Sequence, residues 1–251
     1  MTMLRPLLIA AVLLLVWEAG TRLGEVPFYM LPPPSRVAVA LVENAVLLLA
    51  NAGITLAEIL LGMVLGTVLG CLSGLTLAYF AAARRLLLPV LIVSQAMPVF
   101  ALAPILVLWL GFGLASKIVM AALVIYFPIA SAFYDGLRRT ERGWLDLART
   151  MSASPAAILF QIRLPAALPA FASGLRVAAA VAPIGAVIGE WVGASAGLGY
   201  LMTLSMGRAQ TDLAFAALFV LALLGLVLFY AVDAGLRRLI PWQRESAALS
   251  D

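Results

Sequence analysis

One recurrence constrains this chain more than any other feature. Stretches of about 20 mostly apolar residues, the length that crosses the roughly 30 Å hydrocarbon core of a bilayer as a helix, return from one end to the other. Six read as spans: 6–22, 54–80, 86–110, 117–136, 169–191 and 213–236. The first is the weakest, because Glu18 and Arg22 leave an uncharged run of only Pro6 to Trp17. With Arg5 in front, that run has the outline of a signal peptide. No convincing small-x-small cleavage site follows it, so it reads as an uncleaved first span. Composition agrees: of 251 residues, 65% are hydrophobic and 11% charged, where a soluble domain carries about 25% charged residues. The expected fold is all-α, a polytopic membrane helix bundle of about six spans.

The same counts exclude several kinds of chemistry. The chain has no histidine, which rules out Ser-His-Asp triads, His-ligated zinc and His proton relays. Its single cysteine, Cys71, forms neither an internal disulfide nor a Cys-x-x-Cys site. Gly111 to Lys117 (GFGLASK) is the nearest approach to a Walker A loop. It lacks the second glycine and the Ser/Thr after the lysine, so ATP binding by this chain is not expected. The net charge of +4 is spread between apolar runs, which speaks for membrane topology and against nucleic acid.

Loop charges set the orientation. With both termini cytoplasmic, the inside holds Arg5, Arg84, Arg85, Arg138, Arg139, Arg142, Arg149, Arg163, Arg237, Arg238 and Arg244. The outside then holds Arg22, Arg36, Lys117 and Arg208, a ratio of eleven to four. Arg176 falls within the fifth span, near its cytoplasmic end, and is expected to snorkel toward the headgroups. On the outer side, Pro32-Pro33-Pro34 favours an extended path, with Ser35 capping a helix over 36–51 that lies at the interface or packs on the bundle. Gly62, Gly66, Gly70 and Gly74 put a small-residue stripe on the second span, either for packing within the chain or for a subunit interface. Pro89, Pro98 and Pro104 in the third span, Pro128 in the fourth and Pro183 in the fifth are hinges or simply shape.

The longest polar segment, 137–168, joins spans four and five. Trp144, Leu147, Ala148 and Met151 recur at i, i+3, i+4 and i+7, one face of a helix. Ser154-Pro155 reads as an N-cap followed by proline at the first helical position. A second short helix runs to about Arg163, with Ile158 and Ile162 on one face, and Pro165 is expected to end it. Such a helix–turn–helix is either a docking surface or a hairpin folded on its own bundle.

Within this loop, Asp146-Leu147-Ala148-Arg149-Thr150-Met151-Ser152, nine residues, then Ile162-Arg163-Leu164-Pro165 resembles the EAA motif of binding-protein-dependent ABC transporter permeases. Family members usually read Glu-x-Ala-x-x-x-Gly, nine residues, then Ile-x-Leu-Pro, so Asp146 stands for the glutamate and Ser152 for the glycine. Leu31-Pro32-Pro33-Pro34-Ser35-Arg36, Leu102-Ala103-Pro104-Ile105, Trp109 to Gly113 and Ser116-Lys117-Ile118 are similar to the nitrate/sulfonate/taurine branch. So are Gly189 to Ser195 and Gly197-Leu198-Gly199-Tyr200.

That resemblance implies a type I importer permease, one transmembrane domain over 1–251 with a coupling loop at 137–168, in a bacterial inner membrane. It implies that Asp146, Ala148, Ser152, Ile162, Leu164 and Pro165 couple to a separate ATPase subunit, which holds ATP and magnesium; no cofactor is expected in this chain. Its partners would be the ATPase, a second permease copy (a homodimer), an extracytoplasmic solute-binding protein and membrane lipid. The solute would be a small anion such as a sulfonate, taurine, nitrate or bicarbonate. The alternative is a vitamin precursor such as a pyrimidine or riboflavin.

For the translocation pathway, the candidates are Ser94, Gln95, Pro98 and Glu190, since polar groups inside membranes are costly and functional. Thr55 and Glu58 open the second span, and Glu190 is expected at the outer boundary, where water solvates it. An ion-coupled secondary transporter usually shows internal repeats and mid-span charges, whereas here the two halves show no convincing repeat and mid-span charges are nearly absent. An intramembrane protease finds no histidine and no embedded aspartate pair. A purely structural membrane subunit is opposed by the cytoplasmic docking loop.

Overall fold

A computed structural model describes residues 4–94 and 97–242, and the described residues form helices joined by short turns. The first helix, α1 (Leu4–Leu23), has 20 residues, about 30 Å at 1.5 Å per residue. Trp17 of α1 lies 6.0 Å, ring to ring, from Phe215 near the far end of the sequence.

The helix expected over 36–51 is shorter and capped differently, and it packs on the bundle through Val37 and Ala40. Helix α2 (Pro34–Glu43) starts with a proline in its first turn, where a missing N–H leaves nothing unpaired. Ser35 therefore lies inside the helix, and the cap comes from α1. The Ser35 N–H donates to Glu18 Oε2 at 2.9 Å, and its hydroxyl donates to Glu18 Oε1 at 2.8 Å. A carboxylate at a helix N-terminus satisfies orphan donors and opposes the positive end of the dipole. At Asn44 (φ −107°, ψ 19°) the chain turns, and α3 (Ala45–Tyr79) begins.

Helix α3 has 35 residues and packs through its glycine stripe on α6 (Leu114–Arg138). A Cβ built at Gly66 would stand 3.0 Å from the Ala122 carbonyl oxygen and 3.0 Å from Ile125 Cγ2. At Gly70 it would stand 3.0 Å from Ile129 Cγ2. The stripe is thus used within the chain. An adjoining face of α6 meets α9 (Leu164–Trp191) in the same way: a Cβ at Gly185 would come within 2.8 Å of Ala121 Cα. Helix α6 is the central layer, with Ile59, Ile125, Ile129, Ala178, Ala182 and Ala186 buried around it.

The third expected span is not one helix. Helix α4 (Ala81–Ser94) stops short; Pro98 is extended (φ −66°, ψ 110°), and a 3₁₀ turn (Val99–Leu102) then leads into α5 (Ala103–Leu110). Pro98 lacks the donor a continuous helix needs and pushes the residue before it out of helical geometry. Pro104, by contrast, sits in the first turn of α5, where it is tolerated.

After α6 come α7 (Arg142–Thr150) and a single turn, α8 (Pro155–Ala157). The expectation that Pro165 ends this hairpin fails. Residues Ile158–Arg163 form a π-helical segment that runs directly into α9. The wider π turn absorbs the missing proline N–H and makes room for its ring against the preceding carbonyls. The chain closes with α10 (Leu198–Gly207) and α11 (Thr211–Leu239). Among the described residues, four helical runs are long and apolar enough to cross a membrane: Ala45–Tyr79, Leu114–Arg138, Pro155–Trp191 and Thr211–Leu239.

Candidate functional site

Residues singled out by the sequence collect at two ends of the bundle. Lys117 and Arg138 bracket α6, so these ends are about 30 Å apart along its axis.

At one end lies the loop around α7. Ser154 is the N-cap expected of it: its hydroxyl oxygen accepts from the Ala157 N–H at 3.2 Å, with Pro155 following. Helix α7 ends in a Schellman motif, in which the Ala153 N–H donates to the Ala148 carbonyl at 3.0 Å and the Ser152 N–H to Arg149 at 2.9 Å. Ser152 occupies the left-handed position of this motif, φ 59°. This is the place where a glycine costs nothing and any L side chain is strained. The turn forms all the same, held by its two backbone bonds.

The amphipathic face of α7 is divided. Leu145 and Ala148 are buried against the bundle, whereas Trp144, Leu147 and Met151 are 52%, 62% and 75% exposed. Ala148, Ile162 and Pro165 share the lining of an apolar cavity of about 490 Å³ with Trp144, Leu147 and Met151. Asp146 points outward, paired with Arg149 at 3.0 Å. Ile162 and Leu164 are half-buried on the π segment and the start of α9.

At the other end is a buried polar layer. Glu190, near the C-terminus of α9, is 1% exposed, not solvated at a boundary as its position suggested. Thr55 Oγ1 donates to Glu190 Oε1 at 2.6 Å. The N–H groups of Gly199 and, at 3.4 Å, Tyr200 donate to Oε2. The Leu198 N–H donates to Thr55 Oγ1 at 2.8 Å, and the Gly197 N–H to Asn51 Oδ1 at 2.8 Å. The first four N–H groups at the start of α10 are therefore satisfied by three side chains from α3 and α9, a cap assembled in tertiary structure.

Gly197 (φ 111°) allows this approach; a Cβ there would collide with the Glu190 carboxyl. Glu58, also 1% exposed, faces Glu190 within hydrogen-bonding reach, with Lys117 as the neighbouring positive charge. Lys117 Nζ donates to the carbonyls of Phe112 (2.8 Å), Gly113 (2.9 Å) and Gly193 (3.3 Å), tying the α5–α6 turn to the α9–α10 turn.

Of the pathway candidates, Glu190 belongs to this cap, with both carboxylate oxygens engaged. Pro98 is exposed at the break between α4 and α5. Ser94 ends α4, and Gln95 lies outside the described residues. Arg176 does not snorkel: its Nε donates to Asp233 Oδ1 at 2.6 Å, and Arg237 Nε holds the other oxygen at 2.9 Å. Asn51 escaped notice in the sequence although a signal existed. Asn51, Thr55 and Glu58 stand at i, i+4 and i+7, three polar groups on one face of an apolar helix.

A membrane bundle with a capped, exposed apolar hairpin at one end and a polar clamp at the other has the build of a transport permease. The chain belongs to the family described as binding-protein-dependent transport system inner membrane component, which matches residues 39–245. It is an ABC importer permease, a membrane transport subunit.

A probable ABC transporter permease protein of Haemophilus influenzae is 53% identical over 238 residues, 95% of this chain and 97% of that protein. The formylaminopyrimidine transport permease protein ThiX of Halalkalibacterium halodurans is 37% identical, over 96% of this chain and 97% of that protein. The taurine transport system permease protein TauC of Escherichia coli is 29% identical, over 94% and 88%. The fold is shared with a chain of the MetNI methionine ABC transporter in inward-facing conformations. That match has a TM-score of 0.68 and 23% identity, covering 78% of this chain and 97% of that one.

Proposed function

We propose that this permease works as a pair of copies, each resting on a separate ATPase subunit that holds ATP and magnesium, and receives its solute from an extracytoplasmic binding protein. The loop over 137–168 is the coupling element. The observation that carries this reading is the apolar cavity beside α7, where Ala148, Ile162 and Pro165 meet Trp144, Leu147 and Met151. A partner that fills it would grip a rigid, capped helix pair fused to α9, and closure of that partner would move α9 as a body. Both termini and this loop face the cytoplasm in this reading, which the arginine distribution supports.

The solute we favour is a neutral heterocyclic vitamin precursor of the formylaminopyrimidine type. The relative named for formylaminopyrimidine is 37% identical, against 29% for the one named for taurine. Charge supports this choice: Arg176 is neutralised by Asp233, and Lys117 is bound to three carbonyls, so neither is left to attract an anion. Ser94, Gln95 and Pro98 are the residues assigned to the route, with Ser94 ending α4 and Pro98 lying at the break before α5. Glu190 serves the cap instead.

The test is uptake by cells that carry the permease with its ATPase and binding protein as the only route. Labelled formylaminopyrimidine should accumulate in an ATP-dependent manner, and Ser94→Leu or Gln95→Leu should block it. Accumulation of taurine in its place would reject the solute. Full uptake in both leucine variants would reject the route.

A further inference from the structure

We propose that the cleft between α3, α4 and α6, on the α7 side of the bundle, binds one anionic phospholipid. A cavity of about 220 Å³ lies there, walled by Leu77 of α3, Leu88 and Ile92 of α4 and Phe127 of α6. Tyr134 and Arg138, in the last turns of α6, line its polar end. Pockets for whole drug-sized ligands hold about 300–1,000 Å³, so this one suits part of an acyl chain whose remainder lies in the bilayer.

The polar end is built for an acceptor. Tyr134 is 4% exposed, and its hydroxyl has no hydrogen-bond partner among the described residues. A buried donor left unpaired is destabilising, and a phosphate or ester oxygen would satisfy it. The Arg138 guanidinium stands 5.8 Å over the Tyr134 ring, at the exposed mouth. The other charge at the mouth, Asp135, faces Arg139 at 3.9 Å. Arg84 precedes Leu88 by four residues and so heads the same face of α4. Basic pockets between membrane helices recognise anionic headgroups in this way. A lipid seated here holds α4 against α3 and α6, beside the break at Pro98.

The full-length permease, extracted in mild detergent and delipidated, is incubated with phosphatidylglycerol or phosphatidylcholine and weighed by native mass spectrometry. One phosphatidylglycerol per chain is expected to remain, at least tenfold above phosphatidylcholine. Arg138→Gln, a change at an exposed residue, should lower its occupancy at least fivefold. Ile92→Trp, which fills the cavity, should abolish it. Soluble glycerol phosphate should not compete.

Equal retention of the two lipids, or wild-type retention in both variants, would overturn the proposal. Displacement by glycerol phosphate would overturn it too, by reducing the site to a phosphate contact. Matching thermal transitions of Arg138→Gln and wild type confirm that loss of lipid is not loss of fold.

Discussion

Thr55 and Glu190, 135 positions apart, share a 2.6 Å hydrogen bond in the buried layer at one end of the bundle. Thr55 plays two parts there. Its hydroxyl donates to the carboxylate and accepts from the Leu198 N–H at 2.8 Å, so one side chain of α3 joins the end of α9 to the start of α10. Replacing it with valine keeps the shape and removes both bonds. Thr55→Val should cost about 2–4 kcal/mol, since a buried carboxylate and a buried N–H each lose a partner. Thr55→Ser should recover most of that. Thermal unfolding of the solubilised permease, followed through a fused fluorescent reporter, measures both.

Ser152 gives the opposite sign. Its φ of 59° is a position that prefers glycine, so Ser152→Gly should stabilise the loop by about 0.5–1 kcal/mol and leave transport intact. Ser152→Val, branched at Cβ, should destabilise it. Hydrogen exchange of the amides over 147–154 would register the change locally.

The exposed face of α7 separates coupling from folding. Leu147 is 62% exposed and Ala148 6%. Leu147→Glu should leave membrane levels of the permease unchanged and abolish substrate-stimulated ATPase activity in the assembled importer. Ala148→Glu should also abolish it, but with lower expression, because its carboxylate is forced into packed surroundings. Wild-type stimulation in Leu147→Glu would place the contact elsewhere.

Two glycines of α3 provide an internal comparison. Gly53 has nothing within 4 Å of a built Cβ, whereas at Gly66 that Cβ stands 3.0 Å from the Ala122 carbonyl oxygen. Gly53→Ala should stabilise by about 0.5–1 kcal/mol through helix propensity. Gly66→Leu should destabilise by about 3 kcal/mol or more, as α6 is driven away. The same reporter melts distinguish them.

Arg176 and Asp233 join α9 to α11, with side chains 22% and 15% exposed. Arg176→Leu leaves Asp233 to Arg237 alone and should cost about 1–3 kcal/mol. The double variant Arg176→Leu with Asp233→Leu should cost less than the sum of the two single changes, which a double-mutant cycle tests directly.

What could be read in advance was what depends on neighbours in sequence. The Ser154-Pro155 cap, the face of α7 and the spans through 117–136 and 213–236 all rest on contacts within a turn or on hydropathy, and they appear as expected. Pro98 and Pro165 show the boundary of that legibility. Both break the i to i−4 pattern, yet one interrupts a span and the other is absorbed by a π turn supplied by the preceding residues. Glu190 was visible as an oddity but not as a cap, because its partners Thr55 and Gly199 are brought to it by the packing of α3 and α10. Ser35 fails as a cap for the same reason: Glu18, from another helix, has the better geometry.

The unbroken passage from the π segment into α9 turns the α7–α8 hairpin and the polar layer into two ends of one rod. Pro155–Trp191 is 37 residues, about 55 Å at the rise of a helix. A rod of that length swung by about 5° about one end carries the other through roughly 5 Å, close to one helical turn. A tilt too slight to disturb any packed contact near the hairpin would thus be a full step at Glu190, and the clamp on α10 is what would have to slip or travel with it.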